Sequence, residues 1–258
     1  MKASGHSGCD AVVVEKLMRE IGDARKTVQR RAIDELVAMA GSGNPIVTEK
    51  LRQSITGADR RVRWAAAYAL AQIGAGAFAM ESADALCEAM SDDDGDIRWA
   101  AAELMVRLGR KNLAEISRRL LKLAADPASG RMVRKMALYC IRDLDITGSQ
   151  LLAVVERAVH DSDARVRLAA LAVLSRMRDA PEAAARIMLG CLKSDSDAGV
   201  RRAAASALGN IQSATADATA ALKSAAADRL DESLAKAARG ALERLEKDRL
   251  GKARLEKR

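Results

Sequence analysis

The chain is predicted to be all-α, a stack of about seven two-helix repeats, and three observations predict it. First, one apolar register returns at Val28, Val62, Ile97, Val133, Val166, Val200 and Leu234, in steps of 34, 35, 36, 33, 34 and 34 residues. A period of that length marks one supersecondary unit that buries its face only by stacking on its neighbours. Second, small or apolar residues follow each anchor at plus four, plus eight and plus eleven, as in Val62, Ala66, Leu70 and Ile73, and these offsets share one helical stripe. Third, the 258 residues are 49% hydrophobic but only 2% aromatic, with three prolines, so the core is built from Ala, Leu, Val, Ile and Met, which favours closely packed helices over strands.

Each anchor opens the second helix of its repeat, called B. The first helices, called A, are expected over 10–21, 45–56, 80–90, 112–124, 149–160, 181–192 and 216–227. Between A and B, Asp59, Asp94, Asp163, Asp197 and Asp231 stand three residues before their anchors, where a carboxylate caps the free amides of a helix start. Gly41, Gly74 and Gly109 are placed to supply left-handed exits after B. One residue past the anchor stand Arg63, Arg98, Arg134, Arg167 and Arg201. Such a row either grips phosphates or forms a ladder to the Asp turn of the adjoining repeat; its co-occurrence with the capping Asp favours the ladder. The expected organisation is a flexible leader over 1–9, one continuous repeat domain over 10–248 and a basic tail over 249–258, with Lys247–Arg258, interrupted by Gly251, read as a frayed helix end rather than a docking tail.

The formal net charge of +8 favours acidic partners through its long-range field, whether nucleic acid, anionic lipid or an acidic protein. Cys9, Cys87, Cys140 and Cys191 show no CxxC spacing and read as reduced thiols of a cytoplasmic protein. No segment approaches the roughly 18 uninterrupted apolar residues of a membrane span, so no membrane partner is expected.

The string from Asp59 through Arg63, Trp64, Ala66 and Leu70 to Gly74 resembles the consensus of HEAT-like repeats of the phycobilisome-lyase type, with echoes at 94–109, 163–177 and 197–211. The resemblance covers roughly 10–248 and implies a right-handed α-solenoid with B helices on the concave side. Proteins with such repeats include scaffolds, adaptors, chromophore lyases and base-removing DNA enzymes, so fold alone does not select a function. Repeats 1, 4 and 7 depart from the pattern: Arg25 and Gly130 stand in place of the capping Asp, and Gln29 and Ala235 in place of the ladder Arg. The fourth is internal, which raises the question of a bend there.

Opposite the apolar stripe of B lie offsets two, six, nine and ten, at 3.6 residues per turn. Every Trp and Tyr falls in two of these columns: Trp64 and Trp99 at offset two, Tyr68 and Tyr139 at offset six. The four rings are expected to form a patch about 20 Å long across repeats 2–4, given helices roughly 8–10 Å apart, and large amphipathic side chains are the usual interface anchors. The alternative is that they lean on neighbouring helices and seal the inner surface. The same four columns carry eight cations against four anions, with Glu103, Arg107, Lys135 and Arg142 beside the rings. An acidic or mixed protein segment fits this groove, and so does a nucleic-acid strand.

The expected function is therefore a non-enzymatic, monomeric protein-binding scaffold with no cofactor. Trp99 and Glu103, four apart, resemble the ring-plus-acid arrangement of HEAT-like alkylpurine DNA glycosylases, a single pair rather than a motif. A chromophore-lyase role is implied by family resemblance alone. Only His6 and His160 exist, without the His-Glu pairs of iron-binding HEAT-repeat hydroxylases. Asp92, Asp94, Asp96 and Glu103 fit an EF-hand count, but Gly95 stands at position four rather than six, so capping explains them better.

Overall fold

A computed structural model describes residues 4–55, 57–73, 82–211 and 215–255, with side chains from Asp10 to Leu250. Among them run fourteen α-helices and no strand. Seven A helices, α1 (Ser4–Glu20), α3 (Pro45–Ser54), α5 (Ala83–Ala89), α7 (Leu113–Ala125), α9 (Ser149–Ala158), α11 (Pro181–Ser194) and α13 (Ala216–Ala226), alternate with seven B helices. The latter are α2 (Lys26–Gly41), α4 (Arg60–Ile73), α6 (Gly95–Lys111), α8 (Gly130–Asp143), α10 (Ala164–Leu174), α12 (Ala198–Leu208) and α14 (Glu232–Leu255). Gly74 and the expected start of the third A helix lie outside the described residues.

The caps form as local chemistry dictates. Asp94, Asp163 and Asp197 accept from amides at the starts of α6, α10 and α12. Asp59 accepts from the Arg61 amide at 2.8 Å and Asp231 from the Leu234 amide at 2.9 Å. Each bond satisfies an orphan donor of a helix start. Repeat 4 lacks this turn: Asp126 caps a 3₁₀ segment, Pro127–Ser129, and Gly130 opens α8 at φ +71. That backbone is in the left-handed region, which glycine adopts without a side-chain clash.

At offset four all seven residues are alanines, Ala32, Ala66, Ala101, Ala137, Ala170, Ala204 and Ala238, each 0% exposed. A methyl there lets successive B helices approach closely while Leu36, Leu70, Met105, Ile141, Leu174 and Leu208, four residues on, fill the space between layers. The chain divides into two compact units, 1–113 and 114–258. Within each unit B helices pack on successive B helices more extensively than A on A, which puts the B row on the more tightly spaced side.

Two element ends differ from expectation. The helix of the supposed leader already begins at Ser4, because packed turns at Val14 and Leu17 let α1 propagate outward one hydrogen bond per residue. The last helix runs to Leu255, since a single Gly251 costs a helix only about 1 kcal/mol. The division between the two units falls where repeat 4, the repeat without the Asp-capped turn, begins. Gly41 and Gly109 are not left-handed exits: α2 turns out at Gly43, φ +87, and α6 runs through a buried Gly109 to end at Asn112.

Gly209 closes α12 against α14. A Cβ there would stand 2.6 Å from Ala241 Cα, a backbone atom that cannot swing aside. Gly209→Ala gains up to about 1 kcal/mol in helix propensity, but overpacking of about 1–3 kcal/mol opposes it. The expected result is a net fall in denaturation midpoint; an unchanged or raised midpoint contradicts the packing.

Candidate partner-binding face

The B helices expose one stripe. At offset ten all seven residues, from Ala38 and Gln72 to Asn210 and Arg244, are exposed. Offset six is exposed or half-buried throughout. Offset nine differs from expectation: Ala71, Val106 and Gly209 are buried, because this column turns toward a neighbouring B helix rather than the groove. The open strip is therefore narrower than four columns.

In the first unit the strip deepens into a cleft of about 280 Å³ over α4. Trp64 and Tyr68, one turn apart, meet with ring centroids 5.0 Å apart and planes tilted by 59°. The cleft is lined by Arg30, Ile33 and Asp34 from α2 and by Asp96, Ile97 and Ala100 from α6. Lys26, at the start of α2, forms ion pairs with Asp94 and Asp96, tying repeat 1 to repeat 3 past one end of the cleft. The hydrogen bond from Lys26 holds the Asp94 carboxyl below its usual range, and that bond in turn pushes the Lys26 ammonium up.

The four expected ring positions separate. Trp64 is only 8% exposed, enclosed between α2 and α6, so the indole expected in the open is largely sealed in. Tyr68 is half-buried, and Trp99 stands 53% exposed on α6 outside the residues that line the cleft. Glu103 and Arg107, on the same helix, are also exposed. Tyr139 belongs to the second unit, so no single four-ring patch is described. There its ring takes Lys135 Nζ at 5.6 Å and the Arg142 guanidinium at 5.0 Å from its centroid, distances of cation–π contact. Arg142 Nε also donates to Asp143 at 2.7 Å, which raises the affinity of the guanidinium for its proton.

The arginine row is the ladder. Arg134 Nε donates to Asp161 at 2.8 Å and Nη1 to the Pro127 carbonyl at 2.9 Å. Arg167 makes a two-pronged pair with Asp195, both bonds 2.8 Å, and donates to the Asp161 carbonyl. Arg63 pairs with Glu88 and donates to the carbonyls of Gly57 and Ala58. Arg98 donates to the Asp92 carbonyl, and Arg201 reaches Asp231 at 3.9 Å. The acceptors Asp161, Asp195 and Glu88 were not anticipated. A signal existed: Asp23, Asp92, Asp161 and Asp195 all stand five residues before an anchor. Each of the latter three accepts the amide two residues on, so one carboxylate shapes the turn and, in two repeats, also receives the neighbour's arginine.

Local Asp-x-Arg pairs strengthen these turns. The side-chain hydrogen bond from Arg165 holds Asp163 at a pKa of about 2 against the opposing cost of its burial, and the bond from Arg25 does the same for Asp23. An unfolded aspartate titrates near 3.9. Their contribution is therefore full above about pH 4, falls as the unfolded chain takes up protons first, and is gone near pH 2. The denaturation midpoint should drop between those values, and Asp163→Asn should flatten the drop; identical pH profiles for the two proteins contradict it.

Cys140 and Cys191 are buried and Cys87 is half-buried, none of the three in a disulfide, while the side chain of Cys9 is outside the described residues. Burial pushes the Cys191 thiol up. Asp92 and Asp94 serve as nested turn acceptors, and among the described residues no three His, Cys, Asp or Glu side chains gather as a metal would need. Among the same residues no helix is long and apolar enough to cross a membrane.

A family model described as HEAT repeats matches residues 14–106, 117–209 and 151–243. Among solved structures, the archaeal HEAT-like repeats protein from Thermococcus onnurineus NA1 is 13% identical, with a TM-score of 0.55 over 91% of this chain and 97% of that one. Importin beta is 16% identical, with a TM-score of 0.63 over 93% of this chain and 36% of its own length. Both are likenesses of fold. No curated protein sequence matches the chain.

Proposed function

Since this chain belongs to the HEAT-repeat family, we propose that it is a non-enzymatic protein-interaction scaffold that holds an acidic or mixed segment of a partner against its B-helix face. The supporting observation is the stripe at offsets six and ten, exposed or half-buried throughout, beside which Trp99 at offset two presents an indole 53% open to water next to a cleft floored by Trp64 and Tyr68. A large apolar ring left exposed on a polar stripe is a ready anchor, and the aromatic-floored cleft beside it can seat one side chain of the partner. Glu103 and Arg107 on α6 supply the charges of the face in the first unit, and Lys135 and Arg142 on α8 those of the face in the second.

The base-removal reading rests on the single pair Trp99 and Glu103 on α6, and the indole of the neighbouring repeat, Trp64, is enclosed rather than open beside them. A protein segment needs only the exposed ring and the cleft mouth, which is why it is preferred.

Tyr68→Ala with Trp99→Ala should remove proteins captured by the wild type while leaving helicity unchanged. Lys193→Ala, exposed on an A helix, should capture the same set as wild type. Equal capture by all three proteins overturns the reading. Retention on single-stranded oligonucleotide that weakens steeply with salt would replace it with nucleic acid.

A further inference from the structure

The second unit pairs its ladder arginines with care yet leaves another set of cations without carboxylates. Arg202 and Lys236 stand at offset two, Arg176 and Arg244 at offset ten. Among the described residues no carboxylate lies within ion-pair distance of Arg176, Arg202, Lys236 or Arg244, and none of these four is buried. The one acid of the same columns, Asp143, is neutralised by Arg142. Between the two cationic rows offset six carries the small residues Ala172, Ser206 and Gly240, and Arg244 Nη2 donates across the strip to the Ser206 carbonyl at 3.2 Å.

We propose that this face of the second unit docks an extended acidic protein segment, its carboxylates answering the two cationic rows. The claim rests on the B-helix face being the docking face, and it assigns to this unit a chemistry distinct from the aromatic cleft of the first. Neighbouring B helices stand about 8–10 Å apart, and an extended chain rises about 3.3 Å per residue, so an acid at every third position meets one repeat each. At one rim Arg176 lines, with Arg178 and Asn210, a hollow of about 420 Å³ whose acidic lining is Asp145 alone. A carboxylate there can be gripped by a planar guanidinium fork. A nucleic-acid strand would need rings for its bases, and this unit's strip offers only Tyr139.

The probe is a fluorescein-labelled twelve-residue peptide with Glu at every third position and Gly between, titrated by anisotropy at low salt against the full chain. Binding is expected, and Arg176→Glu with Arg202→Glu should weaken it by roughly tenfold or more. Arg186→Glu with Lys193→Glu, exposed on α11 and equal in net charge, should change it by less than about twofold. The neutral pair Arg176→Gln and Arg202→Gln should fall between, which separates a fold defect from a charge effect. Equal weakening by both reversed pairs, no binding by the wild type, or tighter binding of a twelve-nucleotide thymidine strand each overturns the proposal. Tyr68→Ala with Trp99→Ala should leave the peptide affinity unchanged, so loss of the first unit's anchoring role and loss of this site are told apart.

Discussion

Asp195→Ala is expected to lower the unfolding free energy by about 3 kcal/mol, the scale seen when one partner of a buried ion pair is removed. The Asp195 side chain is 7% exposed and that of Arg167 11%, so little water replaces what is lost. Burial alone would raise the Asp195 carboxyl, yet the Arg167 side chain and the Asp197 amide together hold it below its usual range. Removing it leaves the Arg167 fork against an apolar methyl and frees the Asp197 amide, while the carbonyl bond to Asp161 remains. Arg98 gives the contrast: it donates to the Asp92 carbonyl, and no carboxylate pairs with it among the described residues, so Arg98→Ala should cost only about 1 kcal/mol. Guanidinium denaturation of both variants measures this. A loss below about 1 kcal/mol for Asp195→Ala shows the ladder to be a surface ornament. The double variant with Arg167→Ala should lose less than the sum of the singles, because the stranded charge is then gone too.

The repeat was legible because every copy solves the same burial problem. Val200, Ala204, Leu208 and Ile211 are all at most 3% exposed, as the helical stripe requires, and seven alanines at offset four are fully buried. The capping Asp was legible because its partner amides lie within three residues. What depends on distance between helices was not. A helical wheel fixes the direction of Trp64 and Trp99 equally, since both sit at offset two, but not how near the flanking helices stand. The Lys26 tie to Asp94 and Asp96 joins repeats 1 and 3 past the repeat between them, a contact that nearest-neighbour stacking does not suggest. Offset nine failed for the same reason, because burial of Gly209 comes from Ala241 of the next B helix.

Trp64→Ala should cost about 3–4 kcal/mol, as for other large buried aromatics cut to a methyl, whereas Trp99→Ala should stay within about 0.5 kcal/mol, as for an exposed position. The identical helical register of the two indoles makes the comparison sharp: only their enclosure differs, 8% against 53% exposed. Removing Trp64 also takes away the ring that Tyr68 meets at 5.0 Å, so the cleft should lose its floor as well as its stability. Trp64→Phe keeps a ring there and should recover more than half of the loss. Because the chain has two tryptophans, Trp99→Ala leaves Trp64 as the single indole fluorophore. Its emission should resist acrylamide quenching, while the emission of Trp64→Phe, from Trp99, should be quenched readily. If the two quench alike and Trp64→Ala melts with the wild type, the indole is not sealed between α2 and α6, and both rings stand ready as anchors. If the costs divide as expected, one indole of the pair holds the first unit together and the other is left to the partner.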